Sequence, residues 1–166
     1  MSLLIWLPLN GDLRNQGLSD LTFTNTNLIN IYEDDNGKIG KCYVRPTAKT
    51  LGSIESDKTI LLDGDLSMCC WAKVTEDVGS DTANGLISNH TAVNSSTGYG
   101  FGINIKRISA NDYRICCSTG SGSNGRTYKD YYGTTNIKNA WHHLALTYNH
   151  TKEEFQLWVD GKVEKT

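Results

Sequence analysis

Several things are scarce in this chain of 166 residues, and each scarcity removes a class of protein. Charge is nearly balanced, with 16 Lys and Arg against 18 Asp and Glu. The longest run of one sign is Glu33-Asp34-Asp35, so neither nucleic acid nor an anionic membrane meets an electrostatic footprint. No long apolar run exists, which excludes a membrane-spanning helix. The opening "MSLLIWLPLN" is apolar but short, lacks a basic flank and a small-residue cleavage site, and is broken by Pro8. It reads as a first strand rather than a secretion signal. Apolar residues nowhere recur at helical spacing for more than a turn or two, and no repeat of solenoid or propeller period is visible.

Cysteine is present but badly arranged for metal or for a disulfide framework. The five are Cys42 and the vicinal pairs Cys69-Cys70 and Cys116-Cys117. Neighbours on a strand point to opposite faces, so neither pair can grip one ion as CxxC does. They read as reduced, small apolar packers; one bridge between the pairs stays open if their strands are neighbours. Five cysteines leave at least one free thiol, which argues against an oxidised secreted scaffold. The Asn-x-Ser/Thr sequons at Asn89, Asn94 and Asn149 are what an Asn/Ser/Thr-rich chain produces by chance.

What is abundant is turn chemistry. Sixteen glycines, with many Asn, Ser and Thr, punctuate short runs of β-branched and aromatic residues. Strands are expected over about 2–8, 21–23, 40–44, 66–73, 85–89, 99–106, 112–118, 142–149 and 154–159. "NGD" at 10–12, "DNGKIG" from Asp35, "DGD" at 63–65, "AND" at 110–112 and "DGK" at 160–162 supply the turns. The stretches 75–85 and 118–139 read as longer, low-complexity connectors. Strands without helices bury their apolar faces against a second sheet, so the expectation is all-β: a single domain over 1–166, a two-sheet antiparallel jelly-roll sandwich.

Three segments in order carry a family resemblance: "LPLNGDLRNQGLSD" with "NGKIGKCYV", then "LSMCCWAKV", then "AWHHLALTYNHTKEEFQLWVDGKVEK". Together they resemble the concanavalin A-like lectin/glucanase superfamily, in its laminin G-like and pentraxin-like branch. The opening segment is also similar to lectin-like proteins of phages and prophages. The last segment is the most specific, a hairpin opened by Trp141-His142-His143 and closed by Leu157-Trp158-Val159-Asp160-Gly161.

Alternation accounts for that hairpin without chemistry. His142, Leu144, Leu146 and Tyr148 share one face and Trp141, His143, Ala145 and Thr147 the other, so the adjacent histidines diverge. One His is expected packed and bonded, the other near the surface. Asp160-Gly161 reads as the following hairpin turn, and Trp71 and Trp158 read as core or inter-sheet packers.

The departures from the family bear on ligands. Some relatives bind calcium through acids that follow the "GKxGKCY" strand, where this chain has Arg45 and Pro46. Calcium wants six to eight oxygens; Asp12, Asp63, Asp65 and Asp160 lie in loops that can converge, but each reads first as a turn former. No cofactor is expected and a calcium site lacks a clear ligand cluster. Family members also continue past this hairpin into a further strand, so the chain reads as a piece of a longer protein, or as one with an open sheet edge for other copies or virion proteins.

Retaining glycosidases need two carboxyl groups about 5 Å apart, supplied on a strand by acids two or four residues apart. No Glu-x-Asp-x-Glu type run occurs, nor a nucleophile elbow, and no catalytic residue is assigned. The resemblance implies a carbohydrate- or surface-binding module. Its ring-and-hydrogen-bond chemistry is richest in "GRTYKDYYGTTN", giving Arg126, Tyr128, Asp130, Tyr131, Tyr132 and Asn136 as candidate ligand residues. A glycan or host-surface receptor is the implied partner. A virion scaffold without glycan binding and a non-catalytic appendage of a polysaccharide-degrading enzyme are the alternatives. A virion, or the host cytoplasm during assembly, suits the reduced cysteines.

Overall fold

Alternating short strands do form, and no helix is found among the residues described. The computed structural model describes residues 4–7, 9, 13–32, 41–44, 53–58, 64–75, 84–88, 99–121 and 129–165. The chain divides into two compact units, Met1–Ile60 and Leu61–Thr166.

In the first unit β1 (Phe23–Thr26) pairs antiparallel with β4 (Ser53–Ser56), and β2 (Ile29–Tyr32) with β3 (Lys41–Val44). Asn25 makes the β1–β2 link by accepting the Leu28 N–H and donating to the Leu28 carbonyl. The expected first strand does not form at residues 4–7. The Asn15 side chain takes the Trp6 N–H at 2.9 Å and donates to the Leu4 carbonyl at 3.1 Å, where ladder partners would stand. A polar side chain thus captures the backbone groups that a strand would have used.

The second unit holds two four-stranded antiparallel sheets. One runs β12 (Lys162–Lys165), β11 (Glu154–Val159), β10 (His142–Asn149), β5 (Leu66–Ala72); the other runs β6 (Asn84–Ser88), β7 (Tyr99–Ser109), β8 (Asp112–Ser121), β9 (Lys129–Tyr132). Both give their inward rows to one core: Leu144, Leu146, Leu157 and Val159 from the first sheet, Ile103, Ile105, Tyr113, Ile115 and Cys117 from the second. Each large apolar side chain in these rows contributes roughly 1.5–3 kcal/mol by leaving water. The result is a two-sheet antiparallel β-sandwich.

Strand β9 lies inside the stretch expected to be a connector, and its ladder on β8 is prolonged by the Gly133 N–H to the Ile115 carbonyl and the Ile137 N–H to the Tyr113 carbonyl. Gly133 has to be glycine for this approach, because a Cβ there would stand 2.7 Å from Ile115 Cγ2. Strand β12 follows a two-residue turn in which Asp160 (φ 50°) and Gly161 (φ 77°) are both left-handed, the signature of a type I′ hairpin.

The β11–β12 ladder carries a bulge. Trp158 faces Val163 while Leu157 faces Lys165, so Glu164 is an extra residue. Strict alternation would send Lys165 outward; the bulge returns it to the side of Leu157 and frees Glu164 to reach sideways.

Candidate functional site

The paired histidines form part of a wall, as alternation requires. His142 Nδ1 lies 2.8 Å from Asp160 Oδ2. The His143 N–H donates to Asp160 Oδ1 at 3.0 Å, and the Asp160 N–H returns a bond to the His143 carbonyl at 2.9 Å. Burial would raise the Asp160 carboxyl, but the hydrogen bonds from the His142 ring and the His143 backbone outweigh it and hold the group below the usual carboxylate range. The His143 ring points the other way and tilts against Trp71, with centroids 5.5 Å apart.

That contact opens the outer face of the β12-β11-β10-β5 sheet. On β5 the inward set is Leu66, Met68, Cys70 and Ala72, which leaves Ser67, Cys69 and Trp71 facing out. Trp71 is 52% exposed, so the expectation that it packs the core is corrected. Trp158 sits opposite Ala145 on the same outer face, half-buried, and donates its indole N–H to Thr147 Oγ1 at 3.1 Å. It too is not a core packer: its bond to Thr147 holds the ring against the sheet. Two strand spacings and two residues of register put the Trp71 and Trp158 Cα atoms about 12 Å apart. Between and beside them lie Cys69, Ala145 and Val163, with Val163 48% exposed. An uncharged row of Ser67, Thr147 and Gln156 runs alongside.

The residues expected to bind ligand are dispersed. Arg126 and Tyr128 lie outside the described residues, as does the side chain of Asp130, whose backbone pairs with Ser118 in β9. Tyr131 faces inward opposite Cys117 and packs on the core. Tyr132 faces outward and is 36% exposed. The two tyrosines therefore occupy opposite faces and present no common surface. Asn136 is engaged in structure: its Oδ1 accepts the Tyr113 and Lys138 N–H groups, both at 3.1 Å, and its Nδ2 donates to the Asn111 carbonyl at 2.7 Å.

Tyr131 nevertheless lines a pocket of about 390 Å³ at the sandwich edge, where β9 of one sheet approaches β11 and β12 of the other. Phe155 and Leu157 complete its apolar wall, and Phe155 is itself stacked on Tyr148 at 4.5 Å. Lys152 and Glu153 from the β10–β11 turn and Lys165 from beyond the bulge supply charge.

A clip beside the pocket fixes its two walls. Glu164 Oε2 accepts the Thr134 N–H and hydroxyl, both at 2.6 Å, and the Thr135 N–H at 2.9 Å; Oε1 accepts the Thr135 hydroxyl at 2.6 Å. Burial works against the charge, yet these bonds from Thr134 and Thr135 bring the carboxyl down to about 2. Nothing in the local sequence links these residues, since thirty positions separate Thr134 from Glu164.

Among the described residues no group of three or more His, Cys, Asp or Glu side chains converges. Asp65 accepts the His150 N–H at 2.7 Å and Asp160 serves His143. Seven residues of β10 and its turn separate those two contacts, about 23 Å at strand rise. Asp12 and Asp63 lie outside the described residues.

Residues 49–166 match the family model Laminin_G_3, described as the concanavalin A-like lectin/glucanases superfamily. No curated protein matches, and no solved structure matches.

Proposed function

From a chain that belongs to the Laminin_G_3 family of the concanavalin A-like lectin/glucanases superfamily, we propose a non-catalytic module that binds carbohydrate on a cell surface. The observation that carries this reading is the outer-face pair of Trp71 and Trp158. Sugar rings have apolar C–H faces that stack on aromatic rings, and hydroxyls that need hydrogen-bond partners. An exposed indole, a second indole held against the sheet by Thr147, and a polar row free of charge offer both to a neutral chain lying along the face.

The engagement of Asp160, the carboxylate at the turn after Trp158, supports binding without hydrolysis. Asp160 is taken up by His142 and His143. A glycosidase needs a pair of carboxyl groups free to act on one bond. The phage or prophage setting belongs to this proposal through the resemblance of the opening segment, with a host-surface glycan as the receptor.

The test is glycan-array binding by the purified chain, with calcium and with chelator, repeated on Trp71→Ala. Loss of one aromatic stacking partner is expected to weaken selective binding about tenfold or more while the exposed position leaves the fold intact. Binding unchanged in Trp71→Ala removes the tryptophan face from the site. Silence of the folded wild-type chain on the array favours the virion scaffold instead.

A further inference from the structure

The edge pocket has a composition different from the tryptophan face. Its interior is apolar, from Tyr131, Phe155 and Leu157. Its rim carries Lys152 and Lys165 against Glu153 and Glu154, so the charges of the lining cancel. An ammonium group only donates hydrogen bonds and a carboxylate only accepts them. Vicinal hydroxyls each need to do both. A lining with both kinds of charged partner and no net charge suits a polyhydroxylated, uncharged ligand, and gives no advantage to an anion or a cation.

Shape adds a second constraint. A volume of about 390 Å³ is within the range of small-ligand pockets, which run from roughly 300 to 1,000 Å³. A recess of that size suits a single sugar ring, whereas an open sheet face suits the length of a chain. The backbone of the walls is held before any ligand arrives: the β12 bulge sets Lys165 opposite Leu157 at the rim, and Glu164 ties that strand to Thr134 and Thr135 just beyond Tyr131. Pre-set walls reduce the ordering cost of binding.

We propose that this pocket is a second, separate carbohydrate site that takes the terminal ring of a neutral glycan, a pyranose stacked between Tyr131 and Phe155 with its hydroxyls on the lysine and glutamate rim. The proposal rests on the carbohydrate-binding reading above. The tryptophan face then holds the body of a chain and the edge pocket selects its end.

The experiment titrates the full chain with methyl glycosides of neutral hexoses and N-acetylhexosamines, followed by NMR at the aromatic side chains. The expected result is a perturbation at Tyr131 and Phe155 and, followed at those two rings, an affinity about tenfold lower in the double variant Lys152→Ser plus Lys165→Ser. Both lysines are exposed, so the double variant keeps the fold. Perturbation confined to Trp71 and Trp158, no perturbation by any of these glycosides, equal affinity in the double variant, or tighter binding of a methyl hexuronide overturns the proposal. Retention on a polymeric glycan, compared between wild type and Trp71→Ala, reads the tryptophan face separately. A silent pocket with Trp71-dependent retention sinks only the pocket; a responsive pocket with Trp71-independent retention sinks only the face.

Discussion

Replacing Glu164 by Gln tests whether one side chain joins the two sheets at their edge. The carboxylate accepts four bonds, from two N–H groups and two hydroxyls. The amide keeps the shape but loses the charge and turns one acceptor into a donor, so each surviving bond falls to about half its strength. The drop in pKa from 4.5 to about 2 sets a ceiling of roughly 3.4 kcal/mol on the stabilisation by the charged form. Glu164 keeps partial contact with water, which screens the interaction, and the expected loss is about 1–2 kcal/mol. Because the folded-state value lies below the unfolded one, this stabilisation is complete above about pH 4.5 and fades as pH falls toward 2. Urea unfolding of wild type and Glu164→Gln at pH 7 and at pH 3 reads it directly, through the difference in midpoint at each pH. The gap between the two proteins should shrink at pH 3 to less than half its neutral value. A gap of equal size at both pH values would refute the assignment to charge, and no gap at pH 7 would refute the clip.

Two further outcomes follow from the same structure. Leu146 is fully buried in the row shared by both sheets, so Leu146→Ala should cost about 2–5 kcal/mol in urea unfolding at unchanged slope. Burial, with Cys69 alongside, pushes the Cys70 thiol up to about 12, while Cys69 lies exposed on the outer face. Alkylation of the native protein at pH 8, mapped by mass spectrometry, should therefore modify Cys69 and spare Cys70, with both reacting in urea.

How much the residue pattern reveals depends on whether alternation distinguishes two faces. In "HHLALTYN" it does: Leu144 and Leu146 alternate with small or polar residues, so the buried row, the divergence of His142 from His143 and the turn at Asp160-Gly161 are all readable. In "LSMCCWA" it does not, because Cys69 and Trp71 are as apolar as Met68 and Cys70. Period two fixes which residues go together but not which set faces the core, and only pairing with β10 turns Trp71 outward. The opening segment misleads for a different reason, since its apolar run says nothing of the Asn15 amide that captures its backbone. Strand β9 is four residues in a polar stretch and leaves almost no periodic trace. The pocket and the Glu164 clip depend on a bulge and on contacts between positions far apart in the chain, which no local pattern encodes.

The clip also has a mechanical reading. A β-sandwich is ordinarily laced only within each sheet, by main-chain bonds, while side-chain packing alone keeps the sheets from sliding. Here β12 is laced to β11 by its ladder and, one residue before Lys165, pinned through Glu164 to the segment that rides on β8. Tension applied to the chain at Lys165 is therefore shared at once between both sheets, so this strand resists being peeled away as a single edge.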